Sequence, residues 1–101
     1  MIAYKLFAQR KDGSLGPLFI NRKMRIEVGK TYIAETHPTK GFAVRSGWHC
    51  CHTTSAPHLS KKGRVWCKVS IMGVFEYQRP KAQGGLWYTA KRMTVLQVLD
   101  L

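Results

Sequence analysis

The sequence predicts one compact domain over residues 1–101, of the α+β class but rich in strands, with a mostly antiparallel sheet and at most short helices. Residues 64–71 alternate apolar and polar side chains, which is the pattern of a half-buried strand. Residues 2–8 and 15–20 are short apolar runs on either side of a glycine-containing turn, which is the pattern of a hairpin. At 101 residues and 45% hydrophobic composition, the chain has room for one modest core.

The strand over residues 64–71 is the clearest element, and we expect it at the centre of the sheet. Successive side chains of a strand point to opposite faces, so every second residue should face the core. The core-facing set is Val65, Cys67, Val69 and Ile71, and the outward-facing set is Arg64, Trp66, Lys68 and Ser70.

Shorter patterns predict the strands before it. Met24, Ile26 and Val28 alternate with polar residues, which predicts a half-buried strand. Residues 31–35 and 42–45 predict two further short strands.

The rest of the chain is less regular. Thr53 or Thr54 could cap a short helical turn. Residues 74–77 are strand-like, and residues 78–85 form a polar loop. Residues 94–99 are β-branched and apolar enough for a last strand, with a short helix as the alternative.

Positive charge is the strongest global property. The chain has 17 Lys and Arg against 5 Asp and Glu, which gives a net charge of +12 and a pI near 10.1. Such an excess attracts polyanions largely regardless of their sequence. The expected partners are nucleic acid, a nucleoprotein or an acidic protein surface, and the alternative is a solvated surface without a specific role.

Three basic clusters are the expected binding surface, and folding could bring them together. The first cluster, which contains Arg22, Lys23 and Arg25, could equally be the solvated face of a hairpin. The expected residues are Arg22, Lys23, Arg25, Lys61, Lys62, Arg64, Lys91 and Arg92.

All three cysteines and three of the four histidines fall within residues 47–67. Thiolates and imidazoles are the ligands that zinc prefers, so this stretch predicts one zinc ion. The predicted ligands are Cys50, Cys51, His52, His58 and Cys67, with His37 or His49 able to replace one. If residues 49–52 are extended, Cys50 and His52 share one face, and His49 and Cys51 share the other. The alternative is that the cysteines pack as small apolar residues and the histidines bond to the backbone.

The remaining composition favours an intracellular binding protein over an enzyme. An odd cysteine count argues against a disulfide framework, and no apolar run is long enough for a membrane span or a signal peptide. We therefore expect the cytoplasm of a bacterial host cell and no contact with the membrane. None of the five carboxylates lies near the histidines in sequence, and no phosphate-binding loop is present. A Cys–His nucleophile among the clustered residues is the remaining catalytic alternative.

Five motifs along the chain carry a resemblance. They are KDGSLGPLFIN at 11–21, HPTKGFAVR at 37–45, GWHC at 47–50, APHLS at 56–60 and KGRVW at 62–66. Together they resemble a family of small uncharacterised phage and prophage proteins. Proteins of such origin include inhibitors of bacterial defence, and some CRISPR inhibitors are similar to this chain in size. The resemblance implies an anti-CRISPR-like protein that binds a CRISPR effector nuclease or another nucleoprotein, although its basic charge differs from that of inhibitors that mimic DNA.

A second resemblance covers residues 47–71. A glycine-aromatic-His-Cys segment, a small-residue loop and a valine-rich strand are similar to the middle of ADP-ribosyltransferase-like folds. This resemblance implies the alternative function, a protein that handles NAD or another nucleotide. Those enzymes need a late catalytic glutamate, and Glu76 is the only carboxylate between Cys67 and Asp100. Since its surroundings do not match the expected motif, the chain would be degenerate for that chemistry.

Overall fold

A computed structural model describes residues 1–18, 23–34 and 47–100. The strands, in chain order, are β1 (Ile2–Gln9), β2 (Leu15–Gly16), β3 (Thr31–Ile33), β4 (Trp48–Cys51), β5 (Arg64–Gln78) and β6 (Leu86–Val98), and a 3-10 helix spans Lys81–Gln83. Every pairing between these strands is antiparallel. The predicted class, a β-rich domain with a mostly antiparallel sheet, is therefore confirmed.

The strands close into a ring. β5 pairs with β1 along one edge and with β6 along the other, so it lies between them as predicted. The far edge of β6 pairs with β4 and with β3. β4 reaches back to β1, where Cys51 lies opposite Tyr4. The order β1–β5–β6–β4 is thus a small closed barrel, and its interior holds the core.

Two apolar clusters lie on the two faces of this sheet. The inner cluster fills the barrel and consists of Ala3, Phe7, Leu15, Ile26, Tyr32, Cys50, Cys67, Val69, Ile71, Tyr88, Ala90, Met93 and Val95. The outer cluster consists of Leu6, Cys51, Ala56, Trp66 and Trp87. Cys67, Val69 and Ile71 are in the inner cluster and Val65 packs against it, as the alternation along β5 predicts.

Trp66 belongs to the opposite face of β5, as predicted, but it is not exposed. Its accessible fraction is 4%, because Ala56 and the half-buried Leu59 and Leu99 pack in the same cluster. Residues 52–63 therefore help to cover the outside of the barrel, which the pattern of β5 alone does not reveal.

β5 is one strand that includes both the strand predicted over residues 64–71 and the strand-like residues 74–77, with a bend between them. Ile71 lies in the inner cluster and Val74 packs against it three residues later, so the alternation shifts by one position between them. Gly73 permits this shift because its φ is +68°, a value that side-chain-bearing residues rarely adopt. Their partners on β6, Met93 and Ala90, show the same shift. The β5–β6 hairpin is thus one continuous element with a bend at Gly73.

The prediction of a half-buried strand over residues 24–28 is wrong. Ile26 is buried and makes an isolated bridge to Leu15, but Val28 is 55% exposed. Gly29 has a φ of +87°, and residues 28–29 form a turn. Residues 24–28 therefore make one isolated bridge and no continuous strand, and the turn at residues 28–29 ends the segment before β3.

Other predictions have mixed outcomes. The hairpin of β1 and β2 is confirmed, although β2 is two residues long. The last strand is confirmed, and the helical alternative is wrong because β6 is continuous. Residues 52–63 contain turns without a helix, and residues 42–45 lie outside the described residues. No helix in the described part of the chain has the length and apolar character needed to cross a membrane.

Candidate functional site

The three cysteines do not meet in the fold. Cys50 and Cys67 lie in the inner cluster, whereas Cys51 lies in the outer cluster on the other face of the sheet. Burial raises the pKa of Cys50 and Cys67 to about 11 and the pKa of Cys51 to about 12. Because Cys51 lies on the opposite face of the sheet from Cys50 and Cys67, the three thiols do not converge on one point as they stand.

The two predicted histidine ligands lie on the surface with other partners. His52 Nδ1 is 3.1 Å from the carbonyl oxygen of Leu86, and His58 Nε2 is 3.5 Å from Nη1 of Arg79. Across residues 1–18, 23–34 and 47–100, no three side chains of His, Cys, Asp or Glu come together so that they could hold an ion. His37 lies outside the described residues. Zinc therefore stays a prediction of the sequence.

His49 and Cys51 share the outer face of β4, as the alternation predicts. His49 Nδ1 lies 2.8 Å from the hydroxyl oxygen of Tyr77, and the two rings meet edge to face with centroids 5.9 Å apart. Tyr77 in turn packs against the outer cluster that contains Cys51. The outer faces of β4 and β5 are thus joined through aromatic rings.

Arg79 covers the rings of Tyr77 and Trp87 at the end of the β5–β6 hairpin. Its guanidinium carbon lies 4.3 Å from the centroid of Trp87 and 5.3 Å from that of Tyr77. Tyr77 is directly opposite Trp87 in the strand register, so the hairpin itself places the two rings side by side. The His58 ring approaches Trp87 as well, with centroids 5.7 Å apart. We call His49, His58, Tyr77, Arg79 and Trp87 the hairpin-end cluster.

The loop between β5 and β6 holds this cluster in place. Trp87 Nε1 donates a hydrogen bond to the carbonyl oxygen of Gln83 at 2.6 Å. Gly84 has a φ of +98° and lies so close to Ser55 that a Cβ on it would be 2.6 Å from the Ser55 carbonyl oxygen. Glycine at position 84 therefore lets the loop pack directly on residues 52–63.

Lys5 reaches the same region from β1. Its Nζ donates to the carbonyl oxygen of His49 at 2.7 Å and lies 5.8 Å from the centroid of the Phe7 ring. Burial is the main cause that lowers the pKa of Lys5, nearby cysteine thiols oppose it, and the charge of Arg79 acts with it. The Lys5 side chain thus fixes the backbone of β4 where His49 emerges. The sequence gives no sign of this role, because one lysine in an apolar strand resembles a surface residue.

A groove lies on the surface of the sheet beside the bend at Gly73. It has a volume of about 340 Å³ and is lined by Ile33, Ala34, Gly47, Gly73, Phe75, Thr89, Ala90 and Lys91. Two of the lining side chains are large, apolar and exposed, Ile33 at 66% and Phe75 at 64%. The groove therefore presents apolar surface to solvent on two of its sides.

The groove continues into the hairpin-end cluster. Phe75, Thr89 and His49 lie opposite one another on three neighbouring strands, so they share a face. Phe75, Tyr77 and Arg79 are not among the binding residues that the sequence predicts. Their spacing of two positions is the signal that could have found them, because it places all three on one side of a strand that continues straight.

Two of the three predicted basic clusters lie at the same end of the barrel. Ile26 bridges to Leu15, Leu15 lies opposite Gln9, and the Gln9 N–H donates to the Gly63 carbonyl at 2.9 Å. The backbone segments that flank the two clusters are therefore neighbours. We call the following residues the basic end: Lys23, Arg25, Lys61, Lys62 and Arg64.

The third cluster lies apart from the basic end, at the groove. Lys91 lines the groove, and Arg92 lies opposite Met72 on one neighbouring strand and Ile33 on the other. Arg22 lies outside the described residues. In the described part of the chain, the one salt bridge joins Arg25 Nη2 to Asp12 Oδ2 at 3.3 Å, so side-chain pairing neutralises little of the positive charge.

Comparisons of the chain with models of protein families, with curated proteins and with solved structures find no match. The side chains described above are therefore the basis for an assignment of function. They comprise a concentrated basic end, a groove with exposed apolar walls and a lysine, and an aromatic cluster covered by an arginine. These are surfaces suited to binding an anion that also has flat apolar parts.

Proposed function

We propose that this protein works by binding a nucleoprotein enzyme of bacterial defence and that its basic surface competes for the nucleic acid. The observation that carries the proposal is the net charge of +12. A single salt bridge in the described ranges, between Arg25 and Asp12, pairs part of that charge. A small domain with such an excess attracts polyanions because binding releases their counterions.

The basic end supports the proposal because it concentrates charge from two distant segments. Lys23, Lys61 and Lys62 are exposed, and the Arg25 side chain is 65% exposed despite its salt bridge. Exposed cations on adjoining loops can each contact a phosphate without the cost of removing a buried charge from water.

The proposed class of target rests on the resemblance to phage and prophage proteins. A CRISPR effector nuclease carries guide RNA and binds DNA, so a basic inhibitor can compete with the nuclease for either nucleic acid. The positive charge of this protein is the opposite of the charge that mimicry of a DNA duplex requires. Docking on an acidic patch of the nuclease is the second mode of binding that the same charge allows.

The test measures how the protein inhibits DNA cleavage by CRISPR effector nucleases loaded with guide RNA. Inhibition should weaken steeply between about 50 and 200 mM salt. The double substitution Lys61→Glu with Lys62→Glu should weaken it and lower the slope of log affinity against log salt by roughly two. The matched control, Lys61→Arg with Lys62→Arg, keeps the charge and should retain inhibition.

The rival function has its own signature. A protein that handles NAD should bind it in a pocket whose affinity is much less sensitive to salt. Glu76 is exposed on β5, so Glu76→Ala should leave both stability and inhibition unchanged under the proposed function. Salt-insensitive NAD binding that is lost in Glu76→Ala, with no binding of nucleic acid or nucleoprotein, would replace our proposal with the rival.

A further inference from the structure

The groove is open because two glycines line it. A Cβ on Gly73 would lie 3.0 Å from Cβ of Lys91, and a Cβ on Gly47 would lie 3.0 Å from the carbonyl oxygen of Ala90. Both glycines have positive φ, at +68° and +117°, so the backbone conformation disfavours a side chain there as well. At about 340 Å³, the resulting space is within the range of sites that hold one small ring system.

The walls of the groove present one aromatic side chain and one cation, and a second cation follows on β6. Phe75 is 64% exposed even though its ring is large and apolar. Lys91 lines the groove, and Arg92 follows it on β6, between the exposed Met72 and Ile33 on the neighbouring strands. None of the residues that line the groove is acidic. An occupant that complements this surface has a flat apolar part and negative charge beside it.

We infer that the groove binds single-stranded nucleic acid, with one base stacked on Phe75 and the adjoining phosphates contacted by Lys91 and Arg92. The inference deepens the proposed function, on which it rests for the attraction to polyanions, and it names the substrate class and the surface. Stacking of bases on exposed aromatic side chains beside cations is how proteins hold single strands without reading their sequence.

A single strand fits this groove better than a duplex does. In a duplex both faces of each base are covered by neighbouring bases, so Phe75 would have no free base to stack on. Duplex DNA can still contact Lys91 and Arg92 through its phosphates, as it can contact the basic end. The groove should therefore discriminate between the two forms, whereas the basic end should not.

The test uses fluorescence anisotropy with a labelled oligothymidine of about 12 nucleotides and a duplex of the same length, within the range that one small barrel covers. Phe75→Ala should weaken single-strand binding roughly 10- to 100-fold, and Phe75→Trp should retain it. The same change should alter duplex binding by less than about 2-fold, because the phosphate contacts remain. Chemical-shift changes on titration with the oligothymidine should centre on Ala90 and Lys91.

Matched controls separate this surface from the rest of the protein. Val28→Ala removes an apolar side chain that is 55% exposed in a turn outside the groove and should leave binding unchanged. Lys91→Glu with Arg92→Glu should weaken single-strand binding more than Lys61→Glu with Lys62→Glu does. Because Phe75 is mostly exposed, thermal unfolding of Phe75→Ala should match that of the wild type.

Three outcomes would overturn the inference. If Phe75→Ala weakens single-strand and duplex binding equally, or changes neither, then bases do not stack on Phe75. The proposed function would still stand in that case if the charge reversals at Lys61 and Lys62 weaken binding. Failure of the wild type to bind any polynucleotide would reject both this inference and the proposed competition for nucleic acid. A wild-type dimer that Phe75→Ala converts to a monomer would instead make the groove an interface between copies of this chain.

Discussion

The guanidinium carbon of Arg79 lies 4.3 Å from the centroid of the Trp87 ring, over a side chain that is 4% exposed. A cation over an indole face interacts favourably with its quadrupole, and the planar guanidinium also shields the ring from water. Arg79 therefore serves as the outer cover of the hairpin-end cluster.

Replacing Arg79 with alanine should lower the free energy of unfolding by about 1–2 kcal/mol, because the cation–π contact and the cover over Trp87 are both lost. Arg79→Lys should recover part of this loss, since lysine keeps the charge but not the planar stacking group. The control is Lys81→Ala in the same loop, where an exposed side chain should cost less than about 0.5 kcal/mol. Urea unfolding measures all three, and equal stability of Arg79→Ala and Lys81→Ala would contradict the prediction.

The acid response of His58 should depend on Arg79. Desolvation first and the charge of Arg79 second lower the pKa of His58 below its ordinary value of 6.5. The unfolded chain then binds this proton more readily than the folded chain, so the contribution of His58 to stability is complete above pH 6.5 and is lost as the pH falls below it. In an NMR titration, Arg79→Ala should raise the pKa of His58, and the distant Lys11→Ala should leave it unchanged. An unchanged His58 pKa in Arg79→Ala would show that Arg79 has no such influence.

Two adjacent glycines in the same loop should respond differently to alanine. Gly84 and Gly85 both have positive φ, at +98° and +76°, so each substitution should cost about 1 kcal/mol of backbone strain. A Cβ at Gly85 meets no atom within 4 Å, whereas one at Gly84 would be 2.6 Å from a backbone oxygen of Ser55. Gly84→Ala should therefore be less stable than Gly85→Ala by roughly a further 1–3 kcal/mol in urea unfolding. Equal losses would mean that the loop does not pack on residues 52–63 as described.

The three cysteine thiols should be inert in the folded protein at pH 8. Burial raises the pKa of Cys50 and Cys67 to about 11 and the pKa of Cys51 to about 12, so little thiolate exists to react. A chromogenic thiol reagent should modify none of them in buffer and all three in denaturant. Because the folded pKa values lie above the ordinary 9.0, stability is complete below pH 9 and should fall as the pH rises above it. Rapid modification of the native protein would contradict this prediction.

Zinc content tests the metal site that the sequence predicts. Protein purified without added metal should contain about one equivalent of zinc, and a chelator should lower its thermal stability, because metal binding adds to the free energy of folding. Less than roughly a tenth of an equivalent, with stability unaffected by the chelator, would exclude the site. A site that combines Cys51 with Cys50 or Cys67 would also require a cysteine to leave its present cluster, since these residues lie on opposite faces of the sheet.

The sequence predicted the parts of the fold that depend on local periodicity. The alternation over residues 64–71 correctly assigned Cys67, Val69 and Ile71 to the core, because side-chain direction along a strand follows from backbone geometry alone. It could not show that Trp66 is covered, since its cover comes from Ala56 and other residues that are distant or irregular in sequence. Residues 24–28 also alternate, but they make one isolated bridge and not the continuous pairing of a strand.

The candidate site was harder to predict, because closeness in sequence is not closeness in space. Cys50 and Cys51 are neighbours in the chain, yet the geometry of β4 places them on opposite faces. In contrast, Phe75 and His49 are far apart in the chain and lie on one face, because both pair with Thr89 on β6. That pairing is a long-range feature, and charge counting alone could not show which cations lie beside an aromatic ring.

The order of the strands in the closed ring also determines when each strand can pair during translation. β1 leaves the ribosome before its partner β5, which begins more than fifty residues later in the chain. At roughly 5–20 residues per second, β1 waits on the order of 3–12 s before β5 has been translated. During that delay Leu6 and Phe7 lack the neighbours that bury them in the finished barrel. The nascent chain therefore exposes apolar surface that the finished barrel buries, and such exposure favours aggregation.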